Sequence, residues 1–174
     1  MKKLQYLFLL LFISTALFSC AQSKRKTENR KVQKDLSKFS KATFASGCFW
    51  CMEGVYESVK GVEEVISGYS GGKEANPTYE QVGAHQTGHA ESVEVYYNPS
   101  VVSYATLLKV YFASQDPTQV NGQGPDHGTP YRSIIFYRTP EEKSAAEKYK
   151  AEIQKKFNKP VAAEIVAFQK FWPA

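Results

Sequence analysis

The chain has 174 residues, 43% hydrophobic, 14% aromatic and 22% charged, which suits one ordinary domain with its own core and excludes a disordered or disulfide-rich class. Its net charge of +5 is lopsided: residues 1–41 hold ten Lys/Arg against two Asp/Glu, and the remainder holds 12 against 15. The basic character lies outside the part that reads as folded, so no nucleic-acid partner is expected.

Met1-Lys2-Lys3 is followed by a largely apolar stretch at 4–18 (LQYLFLLLFISTALF). That stretch is short of the roughly 20 apolar residues that span a bilayer. A basic start and a short apolar run read as a secretory signal peptide over residues 1–19. Leu17-Phe18-Ser19-Cys20 resembles the lipobox of bacterial lipoproteins, with Phe18 larger than the residue usual there. The resemblance implies lipidation of Cys20, a membrane held through that lipid, and a cell-envelope address, periplasmic or membrane-anchored. Residues 20–41 are polar and mostly charged, too poor in apolar area to offset the entropy of ordering, and read as a tether.

A domain is expected over 42–174. Residues 42–46 form a short strand, Gly47 breaks it, and a helix follows over 48–60 with Val55 and Val59 on its apolar side. Val62–Tyr69 is a strand. Residues 73–89, rich in Gly, Asn and Pro, form a long loop. Val93, Val95 and Tyr97 alternate as a strand. Ser103 caps a helix running to about residue 114, with Leu107, Leu108, Tyr111 and Phe112 as its buried stripe. Residues 115–130 are a second long loop, and 131–138 are a strand. Thr139-Pro140-Glu141-Glu142 starts a helix to about residue 157, and 161–168 are a last strand. The order defines an α+β sandwich with helices packed on a mixed sheet. Two loops of such length in a compact domain point to function.

The stretch Gly47-Cys48-Phe49-Trp50-Cys51-Met52-Glu53-Gly54 carries the chemistry. Structural zinc is disfavoured, since one C-x-x-C supplies two of four ligands and His85, His89 and His127 all lie in loops. A structural disulfide between Cys48 and Cys51 would close too short a loop to add much stability. A reactive pair fits better. Cys48 stands where a strand turns into a helix, and the free N–H groups and dipole of a helix start favour a thiolate. Cys51, three residues on, reaches the same helix face. Phe49 and Trp50 suit the walls of a small apolar pocket.

Five motifs, GCFWCMEG at 47–54, GYSGG at 68–72, NPTYEQV at 76–82, TGHAESV at 87–93 and DHGTPYRS at 126–133, closely resemble the A-type peptide-methionine sulfoxide reductase family. The resemblance implies a two-layer α+β sandwich with a ferredoxin-like βαββαβ core. It implies reduction of methionine-S-sulfoxide, free or in proteins, with Cys48 as nucleophile, Phe49 and Trp50 around the methyl group, and Glu91 as acid. Tyr79 and Tyr131 would bind the sulfoxide oxygen, Asp126 would be an acidic, substrate-binding residue of the pocket beside the site, and Glu53 a recurring motif position. Cys51 would resolve the Cys48 sulfenic acid as a disulfide, since no later cysteine exists here. The expectation is a monomer with no cofactor and no metal, reduced by thioredoxin or, in the test tube, by dithiothreitol. Family members usually run on past a segment like Phe171-Trp172-Pro173-Ala174, so the C-terminal end is expected to be short. Alternative readings are a general C-x-x-C disulfide oxidoreductase and an inactive envelope lipoprotein.

Overall fold

The computed structural model describes residues 34–174. The expected signal peptide, Cys20, and the tether up to residue 33 lie outside the described residues. Within them the order is β1 (Ser40–Ala45), α1 (Phe49–Glu57), β2 (Val62–Ser70), α2 (Tyr79–Gly83), β3 (Ala90–Tyr97), α3 (Tyr104–Ala113), β4 (Gly122–Gln123), β5 (Asp126–His127), a 3-10 turn (Thr129–Tyr131), β6 (Ile134–Tyr137), α4 (Pro140–Gln154), β7 (Glu164–Ala167) and β8 (Phe171–Pro173).

Six strands make one sheet in the order β7-β6-β1-β3-β2-β8, and β4 pairs with β5 as a separate ribbon. β1 runs antiparallel to β3 and β6, β2 antiparallel to β3 and β8, and β6 parallel to β7. The inner order β6-β1-β3-β2, with α1 and α3 as crossovers, is the expected ferredoxin-like core. α4 then returns the chain to add β7 beside β6.

Strand alternation sorts the side chains by face. Ala42 and Phe44 of β1 and Val93 and Val95 of β3 join the core beneath α1, α3 and α4. Phe44 is its centre, with ring centroids 5.2 Å from Tyr56 and 5.4 Å from Tyr111. Ala45, Ala90, Ile134 and Phe136 form a smaller cluster with Val166 and Phe168. α3 has the expected buried stripe, and its N-cap Ser103 accepts the Thr106 N–H. α4 starts at Pro140 behind Thr139, which accepts the Glu142 N–H.

Several boundaries differ from expectation. Ser40 and Lys41 belong to β1, pairing with Tyr97 and Tyr96, so the domain starts before residue 42. α1 covers 49–57 rather than 48–60, and its buried side chains are Phe49, Met52 and Tyr56. Val55 and Val59 are only partly covered. The 73–89 loop contains α2, nucleated by a reciprocal capping box between Thr78 and Gln81. The 115–130 loop contains the β4–β5 ribbon, and Pro130 draws 129–131 into a 3-10 turn, so β6 starts at 134 rather than 131. The last expected strand shrinks from 161–168 to 164–167, and β8 was not expected. β8 is too short for a periodic signal and sits at a sheet edge, where Pro173 is tolerated.

β7 and β8 occupy opposite edges of the sheet yet are joined by residues 168–170. A flat sheet would separate the edges by about 24 Å, at some 4.8 Å per strand interval. Four Cα steps from Ala167 to Phe171 span at most about 14 Å. The sheet is therefore strongly curled. The connecting strap is pinned at both ends: the Phe168 N–H donates to the Tyr137 carbonyl at 2.8 Å, and the Ser70 hydroxyl donates to the Lys170 carbonyl at 2.7 Å.

Candidate active site

The site grows from the end of β1. Gly47 adopts φ +66°, and a Cβ there would lie 2.6 Å from Gln123 Cβ, so only glycine makes this turn. Its N–H donates to the Tyr131 carbonyl at 3.1 Å, tying the turn to the 129–131 segment. Cys48 follows as N-cap of α1, half-buried, while Cys51 is exposed. The Cys48 carbonyl accepts the N–H groups of Cys51 and Met52 at 3.1 and 3.2 Å. The charge and hydrogen bond of Cys48 hold the Cys51 thiol above its ordinary pKa, with burial, Asp126 and Glu91 adding to the effect. Cys51 therefore stays a thiol where an isolated cysteine would begin to ionise.

The first-turn N–H groups of α1 were expected to serve the thiolate. One of them serves the acid instead: the Phe49 N–H donates to Glu91 Oε2 at 3.1 Å. Glu91 lies in β3 and is 3% exposed. Burial pushes its carboxyl above the usual carboxylate range, the Phe49 N–H draws it partly back, and Asp126 pushes it up again. A carboxyl so placed can hold a proton where an ordinary glutamate has lost it.

Phe49 is buried, whereas Trp50 is 62% exposed. The two rings lie 5.2 Å apart, and Tyr79 stacks at 6.3 Å from Phe49 and 5.9 Å from Trp50. The expected methyl pocket thus has Phe49 as a buried floor and Trp50 as an open lip. Tyr79 is the first residue of α2, and Tyr131, half-buried, ends the 3-10 turn. Burial raises the Tyr131 phenol, and the charges of Glu91, Asp126, Tyr79 and Cys48 raise it further. The expected residues Cys48, Cys51, Glu91, Asp126, Tyr79 and Tyr131 thus share one electrostatic neighbourhood. Glu53 does not join them; it contacts the Ser67 hydroxyl and links α1 to β2.

The two long loops are stitched together. Arg132 donates from Nη2 to the Gly88 carbonyl at 2.9 Å and from Nη1 to the Thr129 carbonyl at 2.7 Å. Gly128, at φ +118°, packs so closely against the His85 ring that the ring would have to move for a Cβ there. His89 is buried; its Nδ1 accepts the Gly72 N–H at 3.2 Å, so Nε2 carries the proton given to the Glu74 carbonyl at 2.8 Å. Behind Gly47, Gln115 Oε1 accepts from the hydroxyls of Ser46 and Ser133 and from Gln123 Nε2, fixing the start of the second loop.

Sequence reasoning placed Tyr69 only at the end of a strand and Arg132 only inside a motif, with no role for either. Tyr69 is buried, lies 5.8 Å from Phe49 ring to ring, and stands directly across the β2–β3 ladder from Glu91. Its hydroxyl has no partner, and burial together with the Glu91 charge pushes it up to about 12. Aligning the two strands in register would have exposed the Tyr69–Glu91 pairing. Arg132 stands beside Tyr131 in the last motif, but its carbonyl partners depend on how the loops meet.

On the other side of the sulfurs, a groove of about 750 Å³ runs from Cys48 and Cys51 between α1, the end of α3 and the 115–126 segment. Among the described residues no group of three or more His, Cys, Asp or Glu is placed to hold a metal ion.

A cysteine at a helix start, a second thiol in contact with it, and a buried carboxyl hydrogen-bonded to the same helix start define a thiol-dependent enzyme. Comparison with known proteins places it further. The family model for peptide methionine sulfoxide reductase matches residues 40–174. The chain is 44% identical over 137 residues to the peptide methionine sulfoxide reductase MsrA of Acidobacterium capsulatum, covering 78% of this chain and 88% of that protein. It is 49% identical over 133 residues to the MsrA of Sulfolobus acidocaldarius, covering 76% of each. Among solved structures, reduced Mxr1 from Saccharomyces cerevisiae superposes with a TM-score of 0.72 at 32% identity, covering 82% of this chain and 83% of that one. Mxr1 in complex with Trx2 superposes with a TM-score of 0.59 at 25% identity, covering 83% and 87%. The chain belongs to the peptide methionine sulfoxide reductase family, in its A-type branch.

Proposed function

We propose that this protein reduces the S epimer of methionine sulfoxide, free or within proteins, and repairs oxidised proteins in the cell envelope. The observation that carries the reading is the buried Glu91 carboxyl, held by the Phe49 N–H beside the helix start that bears Cys48.

The Cys48 thiolate attacks the sulfoxide sulfur while the methyl group rests against Phe49 and Trp50. Negative charge grows on the oxygen as its bond to sulfur weakens. Tyr79 and Tyr131 donate O–H groups to it, and Glu91 gives a proton. Methionine leaves and Cys48 becomes a sulfenic acid. The Cys51 thiol condenses with it, forming the Cys48–Cys51 disulfide and releasing water. A thioredoxin-like dithiol then returns both sulfurs to thiols and is itself oxidised. No prosthetic group enters the cycle. The leader supports secretion, lipidation of Cys20 and attachment to a membrane, with the enzyme acting as a monomer.

The test supplies the full-length chain with separate S and R epimers of a methionine sulfoxide peptide, with and without dithiothreitol. Methionine is expected from the S epimer alone, about one equivalent without reductant and many with it. Cys51→Ser should release the first equivalent and stall with thioredoxin. Release from both epimers alike, or from neither in a folded sample, overturns the proposal. Loss of metabolic palmitate labelling in Cys20→Ser tests the anchor.

A further inference from the structure

We infer that the groove beside the two cysteines binds the polypeptide flanking the oxidised methionine, and that it selects sulfoxides next to lysine or arginine. The inference deepens the proposed function and rests on it.

The groove opens at Cys48 and Cys51 and leads away from the aromatic wall, since Phe49, Trp50 and Tyr79 do not line it. Its volume of about 750 Å³ is far more than one side chain fills. Volumes of about 300–1,000 Å³ hold ligands the size of a short peptide. A methionine within a chain must carry its neighbours somewhere, and this depression is continuous with the reacting sulfur.

Its walls are built in advance. Gln123 clasps the Asp116 backbone, accepting its N–H at 3.0 Å and donating to its carbonyl at 2.7 Å. Gln119 clasps Gly124 in the same way, accepting the N–H at 2.9 Å. The amides that could have filled the groove are thus spent holding its rim in place.

The chemistry of the lining is specific. Met52, Val55, Ala113 and Pro125 offer an apolar surface, Asp116 and Asp126 supply carboxylates, and no Lys or Arg lines the groove. Apolar surface ending in carboxylates matches a long aliphatic stem with a cationic head. Asp116 Oδ1 accepts both the N–H and the hydroxyl of Thr118, at 2.9 and 2.8 Å, which with nearby Lys159 keeps the group ionised. Oδ2 takes no part in those two bonds.

The test measures methionine release from S-sulfoxide peptides that differ only in the residues flanking the sulfoxide: lysine, alanine or glutamate. Single turnovers of the full-length enzyme are followed without reductant, so that the substrate alone is read. One exposed ion pair is worth about 1.4- to fivefold, so the lysine peptide should exceed the alanine peptide in single-turnover rate at subsaturating peptide by about that factor. The glutamate peptide should fall below both, and the differences should collapse at about 1 M salt. Asp116→Asn keeps the Oδ1 acceptor for Thr118 and should bring the ratio of lysine-peptide to alanine-peptide rates closer to one. Equal rates for the three peptides, or a preference undiminished in Asp116→Asn, would overturn the inference. A preference seen only in thioredoxin-driven turnover would assign the groove to the reductant instead. Absence of methionine from the alanine peptide would refute the underlying function.

Discussion

Replacing Glu91 by Gln isolates the acid from its surroundings. Glutamine has nearly the same shape and keeps an oxygen to accept the Phe49 N–H, a 3.1 Å bond in the present structure. What it lacks is a proton to give. A positioned general acid contributes about 10²–10⁴-fold, which corresponds to about 2.7–5.4 kcal/mol of barrier. Single-turnover release of methionine should fall by that factor. The pH profiles should also separate. Burial raises the Glu91 carboxyl, so the protonated acid persists above the usual carboxylate range and is lost as pH rises through the folded value. The wild-type rate should fall along that limb, and Glu91→Gln should lack it. Stability follows the same sign: folded Glu91 holds its proton more tightly than the unfolded chain does, so its contribution is complete below the unfolded pKa and lost as pH climbs through the folded one. Urea unfolding of Glu91→Gln should depend less on pH across that window. A variant that kept wild-type single-turnover rates and the same alkaline limb would refute the assignment and leave the proton to Tyr131, Tyr79 or solvent.

Three further outcomes are expected. Cys48→Ser abolishes methionine release, and because the charge of Cys48 holds the Cys51 thiol up, Cys51 in this variant should alkylate with iodoacetamide faster than in wild type at pH 8. Gly47→Ala forces a left-handed backbone at a cost of about 1–2 kcal/mol before its clash with Gln123 is counted. At about 2–4 °C per kcal/mol, a thermal melt should show a drop of several degrees, and unchanged melting would contradict the turn geometry. Arg132→Met strips two loop carbonyls of a charged donor, a loss of about 2 kcal/mol or more. Its KM for the sulfoxide should rise and its kcat fall, with partial recovery in Arg132→Lys, which can reach one carbonyl at a time.

The central elements were legible because their signals are local. Ser103 and Thr139 start helices as caps, and the period of Leu107, Leu108, Tyr111 and Phe112 shows which side of α3 faces the core. The cysteines, Glu91 and the tyrosines could be named from the motifs that contain them. What remained hidden depends on distant residues. α2 has five residues and is started by a Thr78–Gln81 exchange inside an otherwise polar loop. β8 exists because β2 offers it an edge. The Phe49 N–H was free to be assigned to Cys48 until the fold brought Glu91 within 3.1 Å of it across 42 residues of chain. Tyr69 looked like any strand tyrosine until its register set it opposite Glu91.

The strap at 168–170 has a consequence for how the chain comes to be folded. β8 closes the sheet against Gly68–Ser70, with Phe171 paired to Ser70 about a hundred residues earlier in the chain. Contacts so far apart in sequence are among the slowest to form, because a large loop must be ordered before any bond rewards it. While the chain is being synthesised, the edge of β2 stays bare until residues 171–173 have emerged, however complete the ferredoxin-like centre already is. β8 is thus among the last parts of the sheet to be added, and during the interval the open β2 edge offers unpaired backbone groups to any other strand that reaches it.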